Sequence, residues 1–307
     1  MNALRVLVTG AHGQVGVDLI DVLHGRVPPG GDVAFQPDGR AVREGEFEVR
    51  GVDRRELDVT NGDAVSSVMR QWRPDVVVHL AAYTAVDRAE DDRDRCFAVN
   101  AVATGTLSEA ADDLGAHLIT ISTDYVFDGR LGRGYVETDV ANPLNAYGAS
   151  KYAGELRCSP EDTIVRTSWV MGVRGTSVVH VIADRAMAGL RVRFVDDQRG
   201  TVTAASDLAR SLVCLIRDRP GGLWHVANVG DTTWFDVAAY VGHVAGRDDD
   251  FASPIATTDL DPVPLATRPA RSDLTTHKFA QHYGALPSWR EALERLVGER
   301  GDRGTHE

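Results

Sequence analysis

One short stretch near the start of the chain decides the fold: residues 4–20 read LRVLVTGAHGQVGVDLI. Its apolar opening predicts a buried parallel strand, and the residues after the glycines predict a helix. In a dinucleotide-binding turn, Gly10 would make the turn, Gly13 would let the backbone approach a pyrophosphate, and Gly16 would let the helix pack on the strand. The order of strand, glycine turn and helix makes a plain tight turn the less favoured alternative.

The second motif, Asp53-Arg54-Arg55, follows the second predicted strand. A carboxylate at this point binds the adenosine ribose, whereas an arginine accepts a 2′-phosphate, so the sequence leaves NAD and NADP open. A charge-assisted contact from Arg54 would be opposed by repulsion from Asp53, and we expect NADPH to be favoured modestly. The alternative is a solvated charge cluster at the end of a strand. Asp58 is predicted to lie near the adenine.

The third motif is a tyrosine and a lysine four residues apart, Tyr147 and Lys151, which a helix would place on one face. A nearby ammonium lowers the pKa of a phenol, and such a tyrosine can protonate a carbonyl oxygen as hydride reaches the carbon. The chain has only one other lysine, Lys278, so a lysine at this spacing is an informative coincidence. The alternative is an ordinary surface pair.

The fourth motif, ISTDYVFDG at residues 121–129, follows an apolar strand at the edge where α/β sheets place ligands. The Thr123 hydroxyl is positioned to hydrogen-bond and polarise a substrate carbonyl. Val126 and Phe127 are interpreted as packing residues, and Asp128-Gly129 as a turn.

Strand and helix patterns alternate through the first half, which predicts an α/β, Rossmann-type doubly wound parallel sheet with a smaller C-terminal substrate-binding lobe. We expect residues 1–168 to be mainly the dinucleotide-binding domain and residues 169–307 mainly the substrate-binding lobe, with some segments returning to the first domain. Residues 25–46 are predicted to be a surface insertion. The predicted strands cover 4–8, 48–53, 75–80, 116–122 and 163–168, and the predicted helices cover 14–23, 63–72, 94–114, 147–156, 206–217 and 288–297.

Composition limits the class of protein. A formal charge of −12 argues against a nucleic-acid partner, because an acidic surface repels the phosphate backbone. The sequence shows neither a membrane-spanning apolar run nor a secretory leader, so we expect a cytoplasmic protein without a membrane partner. The three cysteines, Cys96, Cys158 and Cys214, have spacings that suit neither zinc nor a disulfide framework.

These motifs closely resemble the dTDP-4-dehydrorhamnose reductases, a branch of the extended short-chain dehydrogenase/reductase superfamily. The glycine turn and Tyr-x-x-x-Lys are shared by the superfamily, whereas the blocks TAVD and TDYVFDG narrow the resemblance to this branch. The resemblance runs from residue 4 to about residue 297. Its most specific blocks are residues 81–90, 122–129, 143–151, 166–170, 197–200 and 268–272.

The resemblance implies that NADPH, with NADH also accepted, reduces the C4 keto group of a nucleotide-sugar, dTDP-4-dehydro-β-L-rhamnose, to dTDP-L-rhamnose for surface polysaccharides. It implies that Thr123, Tyr147 and Lys151 are catalytic. The expected cofactor-binding residues are Gly10, His12, Gly13, Gln14, Val15, Gly16, Asp53, Arg54, Asp58, Val59, Ala81, Ala82, Tyr83, Asn100, Tyr147 and Lys151. The expected substrate-binding residues are Thr84, Val86, Asp124, Tyr125, Trp169 and Arg268, the last toward the diphosphate.

Two departures from the family pattern keep the sugar open: Met171 replaces a usual tyrosine, and residues 200–203 replace Gly-x-Pro-Thr. The alternatives are a reductase, epimerase or dehydratase of another nucleotide-linked 4-keto-6-deoxy sugar, or a non-catalytic regulatory subunit, against which the complete catalytic trio argues. The resemblance also implies a possible dimer, because some family members are linked in pairs by a metal bound to carboxylates near the first helix and the C-terminus. Asp18 and Glu299 fall at comparable positions without a third acid, so we predict no metal and a monomer or homodimer.

Overall fold

The structure, a computed structural model, describes residues 3–32, 35–175 and 177–301, with side chains up to residue 298. None of the helices in these ranges is long and apolar enough to cross a bilayer. The strands are β1 (Leu4–Thr9), β2 (Phe47–Val52), β3 (Val76–His79), β4 (His117–Thr123), β5 (Thr163–Thr167), β6 (Val170–Met171), β7 (Val192–Val195), β8 (Arg199–Gly200), β9 (Thr203–Ala204), β10 (Gly222–His225), β11 (Thr232–Thr233) and β12 (Ala252–Ile255).

The helices lie between these strands and after the last of them. They are α1 (Gln14–Leu23), α2 (Gly62–Trp72), α3 (Arg88–Asp91), α4 (Arg93–Phe97), α5 (Ala103–Asp112), α6 (Ala146–Glu155), α7 (Val178–Met187), α8 (Ala205–Asp218), α9 (Trp234–Val244), α10 (His277–Tyr283) and α11 (Trp289–Gly301). A predicted helix end at residue 297 is therefore too early, and the rest of the tail lies outside the described residues.

The main sheet has six parallel strands in the order β10-β5-β4-β3-β1-β2. The predicted doubly wound α/β class is thereby confirmed. The strand order changes direction between β1 and β3, where a doubly wound sheet opens a crevice beyond the carboxyl ends of its strands. The turn that begins at Gly10 leaves β1 at this crevice.

Helices cover both faces of this sheet, which explains why its strands are apolar along their length. Val6 and Val8 of β1 face one side, where Leu19 of α1 and Leu208 of α8 belong to the same buried cluster. Leu7 points to the other face and packs in the cluster formed with α2 and α5. The β1 side chains therefore anchor the glycine turn in a rigid layer.

The predicted single helix over 94–114 is wrong in one respect, since a π-type turn at Ala98–Val102 separates α4 from α5. The wider turn contains Asn100, whose carboxamide accepts the N–H of Tyr83 at 2.8 Å and donates to its carbonyl at 3.0 Å. A side chain that bonds to another segment can stabilise this rare geometry, and apolar periodicity does not reveal it.

The second lobe is built from three two-stranded sheets, β6/β9, β8/β11 and β7/β12, with α7, α9 and α11. Its buried core includes Ile182, Val241, Phe251 and Leu293. Three elements beyond residue 168 belong to the first domain instead: β10 forms the edge of the main sheet next to β5, α8 packs on α1, and α10 packs on β10.

The segment between α1 and β2, predicted as a surface insertion, is tied to the body by buried polar contacts. The Arg217 guanidinium of α8 donates to the Glu46 carboxylate at 2.7 Å. The carbonyl of Gly30 accepts from Arg295 of α11 at 3.0 Å. Ion pairs and backbone contacts thus hold its described residues on α8 and α11.

Candidate active site

A cleft of about 680 Å³ opens at the carboxyl ends of the central strands. Its wall contains all the predicted catalytic residues and all the predicted cofactor-binding residues except Asn100. Of the predicted substrate-binding residues, Thr84 and Trp169 line the wall, whereas Val86, Asp124, Tyr125 and Arg268 lie outside it. The cofactor side and the catalytic trio therefore share one cavity.

The three glycines of the turn are required for different structural reasons. Gly10 has a φ of +67°, and a Cβ there would lie 2.6 Å from the backbone N of Ala81. A Cβ on Gly16 would lie 2.4 Å from the Gly10 carbonyl oxygen. A Cβ on Gly13 would meet only that oxygen, at 3.2 Å. The fold itself requires Gly10 and Gly16, whereas the space beside Gly13 is open for a ligand.

The N-terminus of α1 is suited to an anion. Gly13 is its N-cap, no side chain caps the helix, and its first turn carries no acidic residue. The N–H groups at a helix start lack partners within the helix, and the helix dipole favours negative charge there. The geometry therefore fits the diphosphate of a dinucleotide.

The loop after β2 holds an ionised carboxylate beside an exposed cation. Asp53 accepts the backbone N–H of Arg55 at 2.7 Å, which keeps the pKa of Asp53 below its usual range, and its side chain lies 3.1 Å from His12 Nδ1. The Arg54 guanidinium is 70% exposed and lies 3.6 Å from the Asp58 carboxylate. Arg54 is free to move because a weak exposed ion pair costs little to break.

The catalytic trio lies at the end of β4 and in the first half of α6, with Thr123 and Lys151 buried and Tyr147 partly buried. The Lys151 ammonium donates to the Ile121 carbonyl at 2.8 Å, and burial lowers its pKa to about 8. Burial raises the pKa of the Tyr147 hydroxyl, and a hydrogen bond with Thr123 partly opposes this. We expected Lys151 to lower this pKa; in the structure the largest influence is desolvation of the phenol, which raises it. Tyr147 therefore keeps its proton.

Asp124 and Tyr125 support the trio from outside the wall. The buried Asp124 carboxylate accepts the hydroxyls of Ser272 at 2.5 Å and Thr123 at 3.0 Å, and burial raises its pKa to about 6. The Tyr125 ring meets the Tyr147 ring edge-on, with centroids 6.1 Å apart. These contacts orient the Thr123 hydroxyl and the Tyr147 phenol.

Arg268, predicted to face the diphosphate, is paired with a carboxylate outside the cleft wall. Its guanidinium binds both oxygens of Asp87, one at 2.6 Å, and also donates to the Ala266 carbonyl at 2.7 Å. This guanidinium lowers the pKa of Asp87 to about 2. The charge of Arg268 is balanced by Asp87, and its contact with a substrate stays a prediction.

Asn100, predicted to bind the cofactor, lies outside the cleft wall and connects two parts of the site. Besides its two bonds to the Tyr83 backbone, its carboxamide donates to the Ser150 hydroxyl at 2.9 Å. That hydroxyl donates to the Tyr147 carbonyl at 2.7 Å. Asn100 thereby sets the distance between the loop after β3 and the helix that carries Tyr147.

The wall also contains residues that the sequence did not indicate. Leu57 and Ser122 adjoin predicted residues, so their neighbours were a usable signal. Arg95 is exposed in the wall and has no ion-pair partner in the described part of the chain; as a charged residue on a helix it carries no distinctive pattern. The full set is Leu57, Leu80, Arg95, Val99, Ile121, Ser122, Thr167, Ser168, Val170 and Leu208.

Asp18 and Glu299 are the two acidic residues considered for a metal site, for which no metal is predicted. The Asp18 carboxylate is buried, which raises its pKa to about 7, and it lies 3.4 Å from the Arg174 guanidinium. Within the ranges that the structure describes, no group of three His, Cys, Asp or Glu side chains could hold a metal ion. The Glu299 side chain lies outside those ranges.

A doubly wound sheet, a glycine turn at its crevice and a threonine, tyrosine and lysine in one cleft define an oxidoreductase of the short-chain dehydrogenase class. Residues 4–301 match the family described as RmlD substrate binding domain. The chain is 34% identical to the dTDP-4-dehydrorhamnose reductase of Escherichia coli over 96% of this chain and 98% of that protein. The chain therefore belongs to the dTDP-4-dehydrorhamnose reductase family.

Two further comparisons agree with this assignment. The crystal structure of the Bacillus anthracis dTDP-4-dehydrorhamnose reductase in complex with NADP superposes with a TM-score of 0.84, at 33% identity, over 97% of this chain and 99% of that one. The dTDP-4-keto-6-deoxy-D-glucose reductase of Streptomyces niveus is 34% identical over 82% of each chain. Similarity thus extends to a reductase of a related keto sugar.

Proposed function

We infer that this chain uses NADPH to reduce the C4 keto group of dTDP-4-dehydro-β-L-rhamnose, which gives dTDP-L-rhamnose for surface polysaccharide synthesis. Membership of the family supports the reaction. The single observation that carries it is the placement of Thr123, Tyr147 and Lys151 in the wall of the same cleft as the glycine turn. A hydride donor and a proton donor can then act on one carbonyl.

The residues present fit a nicotinamide dinucleotide. The N-terminus of α1 beside Gly13 would hold the diphosphate, and Asp53 would accept hydrogen bonds from the adenosine ribose. Arg54 would turn toward a 2′-phosphate, and Lys151 would hold the nicotinamide ribose. When bound, NADPH supplies the hydride.

The chain's own residues supply the proton and the orientation. Tyr147 stays protonated because burial raises its pKa, and it gives that proton to the C4 oxygen. The Lys151 ammonium stabilises the phenolate that is left. The Thr123 hydroxyl, which donates to Asp124 in this structure, turns to donate its hydrogen bond to the carbonyl oxygen. The carbonyl thereby gains one hydride and one proton and becomes a hydroxyl.

A second candidate is a reductase of another dTDP-linked 4-keto-6-deoxy sugar. The Streptomyces niveus relative, which is a dTDP-4-keto-6-deoxy-D-glucose reductase, favours it. Met171 and residues 200–203 depart from the usual family pattern. Met171 lies two residues after the wall residue Trp169, and Gly200 contacts the Trp169 ring. A change of sugar would involve these positions rather than the catalytic trio.

The test is turnover of purified protein with NADPH and either keto sugar, followed by NADPH absorbance and by NMR of the product. We expect faster oxidation with dTDP-4-dehydro-β-L-rhamnose and dTDP-L-rhamnose as product. Preference for dTDP-4-keto-6-deoxy-D-glucose would establish the second candidate, and an altered sugar without cofactor oxidation would indicate an epimerase. Absence of oxidation with both sugars, together with tight binding of a partner enzyme, would indicate a regulatory subunit.

We also propose a division of labour in which residues 1–168 mainly bind the cofactor and residues 169–307 mainly bind the sugar, in a cytoplasmic monomer or homodimer. The substrate is a nucleotide-sugar, and neither nucleic acid nor a membrane is a partner. Light scattering of the purified chain, with and without substrate, measures the oligomeric state.

A further inference from the structure

Trp169 occupies an unusual position in the cleft wall. It lies between β5 and β6, and its φ of +42° falls in the left-handed region that side-chain-bearing residues rarely adopt. Such a conformation persists only where surrounding contacts determine it. Contacts with the second lobe hold Trp169 in this conformation.

Two neighbours from the second lobe confine its indole ring. The Trp234 ring stacks on it, with centroids 4.2 Å apart and planes inclined by 15°. The backbone of Gly200 touches it so closely that a Cβ there would lie 2.6 Å from two ring carbons. The indole has no room to move toward Gly200, and Trp234 limits its tilt.

These two neighbours are fixed to one another by the strand pairing of β8 with β11. Gly200 is the register partner of Thr232, and Trp234 follows two residues later as the first residue of α9. The start of α9 is closed by a capping box, in which Thr233 and Asp236 exchange side-chain and backbone hydrogen bonds. The contact surface offered to Trp169 is therefore rigid.

Trp169 faces the part of the cleft that the second lobe borders. It lies in the wall after β5, next to β4, whose last residue is the catalytic Thr123. The glycine turn belongs to β1, two strands away from β4 in the sheet. A ring in this place is suited to the substrate, since the C–H groups and the methyl of a 6-deoxy sugar present an apolar surface to an aromatic face.

We propose that Trp234 is a positioning residue for sugar binding: with Gly200, it holds the Trp169 indole as a flat surface on which the 6-deoxy sugar packs. The proposal rests on the proposed function. Trp234 does not line the cleft and acts only through Trp169. It therefore affects affinity for the sugar and leaves the affinity for NADPH unchanged.

The test compares Trp234→Leu, which keeps apolar bulk without a flat ring, with Trp234→Phe, which keeps the ring. We expect Trp234→Leu to weaken dTDP-L-rhamnose binding, measured by calorimetry, and to raise the KM for the keto sugar, each about three- to tenfold. Trp234→Phe should restore most of the loss. The KM for NADPH and kcat should stay within about twofold, because the trio and the glycine turn are untouched.

Val241→Ala is the matched control, because Val241 is buried seven residues after Trp234 in the same helix and its truncation lowers stability while the Trp234 ring is kept. It should lower Tm and leave sugar binding intact. An unchanged sugar affinity in Trp234→Leu, or an equal loss in Val241→Ala, would overturn the proposal. If the wild-type chain turns over the keto sugar in that case, the proposed function stands alone; if it neither binds nor reduces the sugar, both fail.

Discussion

The two walls of the cleft are built in different ways. The wall near β1 comes from short continuous stretches, residues 10–16, 53–59 and 80–84, whose backbone turns place each contact. The opposite wall depends on contacts between distant segments, such as the stack of Trp169 on Trp234. The first wall is determined by local conformation, whereas the second requires the small lobe to pack correctly. Substitutions should therefore separate into effects on the cofactor and effects on the sugar.

The largest effect is expected at the boundary of the two walls, with Tyr147→Phe. The loss of the proton donor should lower kcat by about 10²–10⁴, the usual range for general acid catalysis. NADPH affinity and Tm should be nearly unchanged. Tyr152→Phe, in the same helix but packed against the cluster around Phe127, is the control and should keep full activity. A Tyr147→Phe enzyme within threefold of wild type would identify another proton donor.

The next largest effect is expected from Gly13→Val, which changes only the wall near β1. A Cβ at Gly13 would crowd only the Gly10 carbonyl oxygen, at 3.2 Å, so the variant should fold after a small local shift. Its β-branched side chain would occupy the place of the diphosphate. We expect NADPH affinity to fall by more than about tenfold, measured by fluorescence titration. Gly10→Val should instead lower Tm strongly, because its φ and its contact with Ala81 exclude a side chain. Unchanged NADPH affinity in Gly13→Val would show that the diphosphate lies elsewhere.

A pH profile of activity tests the charge of Lys151, which lies with Tyr147 between the two walls. Since burial lowers the pKa of Lys151 to about 8, kcat/KM should fall about tenfold per pH unit above that value as the ammonium is lost. Lys151→Arg should remove the fall, and Lys278→Arg should retain it. The folded chain binds fewer protons than the unfolded chain between pH 8 and the ordinary 10.5, so this group makes the free energy of unfolding rise with pH there. A fall caused by unfolding would appear in Tm.

The smallest effect on activity is expected at Arg54, at the exposed end of the wall near β1. Arg54→Ala should raise the KM for NADPH roughly three- to tenfold and leave that for NADH unchanged, since solvent weakens an exposed ion pair with the 2′-phosphate. The neighbouring Arg55, which does not line the cleft, provides the control variant Arg55→Ala. Equal losses with both cofactors would mean that Arg54 supports the loop or packs on the adenine.

The sequence predicted the first wall better than the second for a physical reason. Gly10 and Gly13 belong to a motif in which strand, turn and helix follow one another, and Tyr147 and Lys151 lie one helical turn apart. Such relations can be read from spacing alone. The five predicted strands also agree with the structure to within one residue at each end.

The remaining features depend on contacts that no local pattern reveals. The pairing of Arg268 with Asp87 joins residues 181 positions apart, and the stack of Trp234 on Trp169 needs the second lobe to be folded. The pKa of Tyr147 depends on burial, which a four-residue spacing does not show. Non-local packing and desolvation therefore account for most of what the sequence left undetermined.

The π-type turn at Ala98–Val102 lets one continuous helical segment direct side chains toward two different parts of the molecule. Before and within it, the chain aligns Asn100 with Tyr83; after it, Leu107 is aligned with the sheet core. A π-type turn closes its hydrogen bond over one residue more than an α-helical turn, so deletion of one residue here would convert it to regular helix and leave α4 and α5 in nearly the same alignment. Leu107 would keep its place in the core, whereas the carboxamide of Asn100, which lies in the widened turn, would lose its bonds to Tyr83. Length in this segment is therefore as constrained as side-chain identity.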